Sequence, residues 1–433
     1  MTVSSADAAH LLRRSGFGVA QAKVDELTKL SSRYAAVDRV LDLSQVPPAT
    51  PPIGFGATAD QYGAWRSLTG WWLERMRTTP VPIVEKMTLF WHGHFVTALS
   101  KVTDMGLLCQ QHQVLRQHAM GDFGAMTQAV SIDPAMLLYL DNALNFVWKA
   151  QENFGRELME LFTLGTGQYS QADVVAMARA WTGHSVDDTW RTYRNRSEWH
   201  DNGSKQLFAV SARNWDGPAA LTEVLKGSKA DASARFITAK VFSYLAYPVL
   251  PTDSVVGPIA ASFRAANLNI GVLVRQIFRS NAFWSAKARR ALVRTPVEWM
   301  VATLQATNLT AAEAIPQSYL DRCGQTLFNA PDVSGWKQNE YWLSTSQSWG
   351  RSSWALLVRY LTWKAGLFKG IESSSASAAV SQVFTRFGIT EPSPTTRAAL
   401  EAWFTKAKSD GDTWSIPLNL THLVMLSPDF QVA

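Results

Sequence analysis

The sequence predicts a mainly α-helical protein: one large multi-helix domain with a small β excursion and long loops. Two observations predict it. From Gln61 onward, apolar residues fall in helical groupings through segment after segment, and several of those segments carry residues that start or stop helices. Only residues 184–217 break the period, with β-branched, aromatic and Asx-Gly signals in place of a helical stripe.

In chain order, the first forty-odd residues read as two short helices around "SGFG", followed by the connector "VPPATPPIGFG". Its prolines lack the N–H that a helix needs. Residues 1–60 are therefore an N-terminal helical arm with a Pro-rich connector, and residues 61–433 the main helical domain. In "DPAMLLYLDN", Asp133 can cap and Pro134 suits the first turn. "ENFGRELMELFTL" closes at Gly165, and "SQADVVAMARAWTG" opens on a Ser170/Asp173 capping box and stops at Gly183. Residues 184–217 are expected to hold a small hairpin. Helices resume with "ASARFITAKVFSYLAYP" and run to the end, interrupted by loops over 329–345 and a Ser-rich linker over 372–379.

Composition narrows the function classes. The 41 basic residues against 35 acidic ones give only +6, with no run of five Lys or Arg, which argues against nucleic acid as a partner. No apolar run reaches the ~18 residues of a membrane span. "MTVSSADAAHLLRRSGFG" leads into a charged amphipathic stretch rather than an apolar core with a cleavage site, so a cytoplasmic location is expected, or an exported one if a leader was trimmed or a partner carries it. Two cysteines, Cys109 and Cys323, exclude a thiolate zinc cluster. The 18 tryptophans read mainly as anchors between helices, with a carbohydrate surface as the other reading.

Chemistry concentrates in a few places. At about 100° per residue, Asn153, Glu157 and Glu160 share a narrow arc of one helix, a like-charge pairing that calls for a nearby cation. Arg156 or a divalent metal could be that cation. His92 and His94 in "FWHGHF" are the nearest imidazoles with a suggestive spacing, but on an unbroken helix they point about 200° apart, so both can bind one ion only if the helix unwinds at Gly93. His200 and Asp201 in "WHDNG" are a ligand or acid–base pair, and Asp141 and Asn142 could add oxygens. Beside this stands a bland reading, in which the same residues cap helices, hold turns and pair with arginines. "GTG" at 165–167 lacks the third glycine of a dinucleotide site, and neither a phosphate-cradling loop, HExxH nor GxSxG occurs.

"HLLRRSGFG", "VEKMTLFWHGHF", "DPAMLLYLDN", "ENFGRELMELFTLGTGQYSQADVVAMARAWTG", "HDNGSK", "RNWDG", "RTPVEWMVATL", "PDVSGWKQNEYWL" and "HLVMLSPDFQVA" together resemble, in order over residues 8 to 433, the bacterial family called domain of unknown function 1800. The resemblance brings no settled activity. It implies export signals in many members and, as a partner, a protein that looks like a phosphatase or sulfatase. The chain departs from the family pattern at Gly155, where alanine is usual, and at Gly93, where asparagine is frequent.

The leading functional expectation is a metal-dependent hydrolase using Mn, Fe, Zn or Mg. In it His92, His94, Glu157 and His200 bind the ion, Glu160 or Asp201 is the general base, and Asn153 with Arg156 orients the substrate. Two alternatives stand beside it. One is a non-enzymatic binding or assembly module with exposed Trp336, Tyr341 and Trp342 as anchors. The other is an iron-dependent redox enzyme in the same pocket.

Overall fold

The computed structural model describes residues 2–56, 58–210 and 212–433. Helix accounts for 60% of the chain and strand for 4%, which settles the class as mainly α. A helix starts at Gln61 (Gln61–Thr78), capped by the Asp60 carboxylate on the Gly63 N–H. Asp133 caps Pro134–Tyr139, and Ser170 with Asp173 forms the capping box of Gln171–Ala180. The strands are β1 (His184–Val186) and β2 (Tyr193–Asn195), an antiparallel hairpin within the predicted excursion.

Two expectations change. The arm holds three helices, Ser5–Ser15, Gln21–Thr28 and Arg33–Val40, the third capped by Ser32. The Ser-rich stretch is no linker: Ser375 caps helix Ala376–Arg386, whose Val380, Val383 and Phe384 are buried. Serines there act as caps, because a side-chain oxygen satisfies an orphan N–H of the first turn.

One contiguous hydrophobic core runs from Val3 to Phe430, so the arm packs into the same interior as the rest. His10 in the arm bonds the Phe283 carbonyl (2.9 Å), and Asp7 pairs with Arg33 and Arg289. Most tryptophans serve the core: Trp72, Trp91, Trp181, Trp215, Trp299, Trp342 and Trp354 are essentially buried. Several tie distant elements together through the indole N–H, as Trp91 does to the Ala119 carbonyl (3.0 Å) and Trp299 to Met425 (3.1 Å). No helix among the described residues is long and apolar enough to cross a membrane.

Candidate functional site

The four residues expected to bind a metal are not brought together. Helix Pro82–His94 stays helical through Gly93, so His92 and His94 leave on different faces. The His92 Nε2 accepts the Phe328 N–H (3.0 Å), and its ring lies among Trp72, Phe328 and Trp336. Burial pulls its pKa down to about 3, so it is a neutral core residue that caps a loop N–H. The His200 Nδ1 donates to the Thr182 carbonyl (2.8 Å), on the hairpin side of the molecule. Among the described residues, no three His, Cys, Asp or Glu side chains are placed to hold a metal ion.

The other candidates mostly hold local structure. Arg156 bonds Glu152 (2.9 Å) and Gln171 (3.0 Å), while Asn153 is exposed and reaches the Leu140 carbonyl (3.3 Å). Glu160 accepts from the Tyr169 hydroxyl. Glu157 is half-buried beside it, and burial followed by the Glu160 charge raises its pKa. For Asp201, burial alone would raise the pKa, but the Arg179 guanidinium (2.6 Å) and the Gly203 N–H (2.7 Å) bring it below the ordinary value. Asp141 pairs at the surface with Lys101 (2.8 Å), and buried Asn142 bonds the His184 carbonyl (2.8 Å), fastening the hairpin to the body. Of the aromatic anchors, Trp336 and Trp342 are buried and only Tyr341 is exposed. The surface proposed for a partner thus loses two of its three side chains to the core.

His94 sits in company the sequence did not suggest. It lines a cavity of about 370 Å³ with Trp336, Lys240, Tyr244, Lys86 and Arg14. Helix Ala230–Leu245 supplies Phe236, Lys240 and Tyr244 at four-residue spacing, hence from one face. Phe236, Lys240 and Ser243, partly buried on the rim, are where the cavity meets solvent. The wall carrying Trp336 is held close by Gly335, whose φ is +82° and whose missing Cβ would lie 2.3 Å from the Gly93 carbonyl oxygen. Only glycine fits there.

Lys240 and His94 are fixed by one irregular segment. Residues Leu158–Thr163 form a π-helical turn, and the Met159 carbonyl accepts both the Leu164 N–H (2.8 Å) and the Gly165 N–H (3.2 Å). Gly165 is left-handed at φ +83° and lies flat against the Phe236 ring. At such a helix end the last carbonyls lack helical N–H partners. Two of them turn outward: Leu161 accepts from the Lys240 ammonium (3.2 Å) and Phe162 from His94 Nε2 (3.0 Å).

This arrangement fixes protonation as well as position. Because a carbonyl can only accept, the His94 proton sits on Nε2 and its Nδ1 lone pair is left bare. That buried Nδ1 has no hydrogen-bond partner among the described residues. Burial and then the Lys240 charge keep the imidazole neutral, well below its ordinary pKa. Burial lowers Lys240 to about 8. Deeper in, Lys86 is ion-paired with Glu298, a carboxylate that burial would raise but that Lys86 and the Thr295 N–H bring below its ordinary value. Arg14 bonds the Ala288 carbonyl (2.9 Å) and leaves its Nε without a partner among the described residues. Among the side chains of the described residues, the lining therefore offers three cations, Arg14, Lys86 and Lys240, against one carboxylate, Glu298. Sequence reasoning missed Lys240, Lys86, Arg14 and Tyr244. The available signal is a lysine on an otherwise aromatic helix face, Phe236–Lys240–Tyr244.

The profile of one protein family, described as protein of unknown function (DUF1800), matches residues 10–432, and the chain belongs to that family. No curated protein and no solved structure matches it.

Proposed function

We propose that this member of a family without an assigned activity binds a small organic anion in the cavity under Trp336 and carries out acid–base chemistry on it, with Lys240 as the proton-transferring group. The carrying observation is the lining itself: three cations against one carboxylate, with a bare imidazole nitrogen beside the lysine. With Lys86 paired to Glu298, Arg14 and Lys240 are the cations in surplus; holding them there costs free energy, and an anionic ligand would recover it. The volume of about 370 Å³ lies in the range of small-molecule sites, roughly 300–1,000 Å³.

With a pKa of about 8, roughly a tenth of Lys240 is neutral at pH 7, so the amine can take a proton and its conjugate acid can return it. In this reading His94 keeps its proton on Nε2 and offers Nδ1 only as a hydrogen-bond acceptor. Arg14 and Lys86 would fix the anionic end of the substrate. Hydrolysis of an anionic ester is one reaction such a site could run, with the neutral amine drawing a proton from water.

Amine reactivity tests this. Brief acetylation of the native protein across a pH series, followed by peptide mapping, should label Lys240 with a midpoint near 8, and small carboxylates, phosphates or sulfates should slow that labelling. A midpoint above 10, or labelling indifferent to every anion tried, would refute the proposal.

A further inference from the structure

Helix Thr345–Lys364 has two apolar faces. One is in the core: Trp354 is buried and donates to the Ala314 carbonyl (2.8 Å), and Ala355, Val358 and Thr362 are buried with it. The opposite face carries Trp349, Leu356, Tyr360 and Trp363, which are 62%, 45%, 49% and 44% exposed. Spacings of seven and four residues align these four along one side of the helix. A surface helix ordinarily turns charge outward, yet this one contains no Asp or Glu, and its cations are Arg351, Arg359 and Lys364. Arg351 is buried, and Arg359 is bonded to Asn419 (2.8 Å).

We infer that this face is where two copies of the chain pair, helix against antiparallel helix, about a two-fold axis at Leu356. Trp349 and Trp363 lie seven positions to either side of that residue. A two-fold contact places one surface on itself, so a self-complementary pattern is what it requires. In the antiparallel register, Trp349 meets the second copy's Trp363 and Leu356 meets Leu356. Tyr360 falls opposite the small Ser352, Arg359 opposite Ser353 and Lys364 opposite Ser348. Bulk therefore meets a gap at Tyr360, and no cation faces a cation.

The area sets the strength. Taking 150–250 Å² for each whole aromatic side chain, the four residues expose about 450 Å² per copy, or about 900 Å² when paired. That falls below the roughly 1,000–1,200 Å² at which stable specific interfaces begin, so the pairing is a weak, reversible dimer rather than an obligate one.

Sedimentation of the full chain from roughly 1 to 100 µM should show monomer passing into dimer. Leu356→Arg should hold it monomeric with unchanged circular dichroism, as the residue is exposed. Cysteine placement reads the geometry directly, because Cys109 and Cys323 are buried and burial pushes both thiols up to about 12. Leu356→Cys should cross-link to its own copy under mild oxidation. Trp349→Cys and Trp363→Cys should each fail alone and cross-link when both are present. A wild-type chain monomeric throughout, with no Leu356→Cys cross-link, overturns the inference. So does a monomer that floats with anionic lipid vesicles, which would give the face to a membrane surface.

Discussion

Lys240→Met separates what the cavity lysine does for function from what it costs the fold. Methionine has nearly the same length as the lysine stem and carries no charge, so packing against Phe236 is largely kept while the ammonium is removed. A lysine displaced from its ordinary 10.5 to about 8 costs the folded state about 3 kcal/mol at neutral pH, at about 1.4 kcal/mol per pH unit. Water entering the cavity screens part of that, so about 2 kcal/mol is the working figure. The sign follows from proton counting. Between about pH 8 and 10.5 the unfolded chain holds more protons on this residue than the folded one, so wild-type stability gains on raising the pH through that window. The variant should therefore be more stable than wild type at pH 7, and the gap should close as the pH approaches 10.5. Urea denaturation of both proteins at pH 7 and pH 9.5 measures it, since groups common to both cancel in the difference. Equal stabilities at pH 7, or a gap that does not narrow with pH, would mean that Lys240 is solvated and the cavity does not hold a strained cation.

Three further outcomes follow from the same geometry. Glu85, fully buried, accepts from Arg75 (2.7 Å), Arg116 (2.8 Å) and the Trp72 indole (3.0 Å); Glu85→Gln strands two guanidiniums and should cost about 3–5 kcal/mol in chemical denaturation. Burial raises Asp133 to about 7, so the folded chain keeps its proton where the unfolded chain has lost it, and stability falls as pH rises from about 4 to 7; Asp133→Asn, which retains an oxygen for the Met136 N–H, should flatten that part of the pH profile and gain most above pH 7. Gly335→Ala places a Cβ 2.3 Å from the Gly93 oxygen at a positive φ, so it should lower the melting temperature and weaken the protection of Lys240 by anions together.

Much of the fold was legible because its signals are local. A cap needs an oxygen and an N–H three residues apart, which is why Asp133, Ser170 with Asp173, and the helix start at Gln61 stand where the sequence puts them. The same logic misread Ser375: a serine cluster reads equally as a flexible segment or a cap, and only the buried Val380 and Val383 beyond it decide. Among the residues singled out in the sequence, Trp336 lines the cavity, and so does His94. Its neighbour His92 has the same chemistry and nearly the same place in the chain, but about 200° of helix rotation turns one imidazole to the cavity and the other to a loop N–H.

What the sequence determined by itself is a helical chain of a recognisable family, with its helix starts and a hairpin excursion in place, because hydrogen bonds and apolar periodicity act over a few residues. Only the tertiary structure decided which polar groups meet. The π-helical turn at Leu158–Thr163 leaves no pattern in sequence, yet its outward carbonyls choose Lys240 and His94 as partners and leave Glu157 and His200 elsewhere. Convergence across such distances is set by how whole helices bury their apolar faces, and polar side chains then take the positions that packing leaves them.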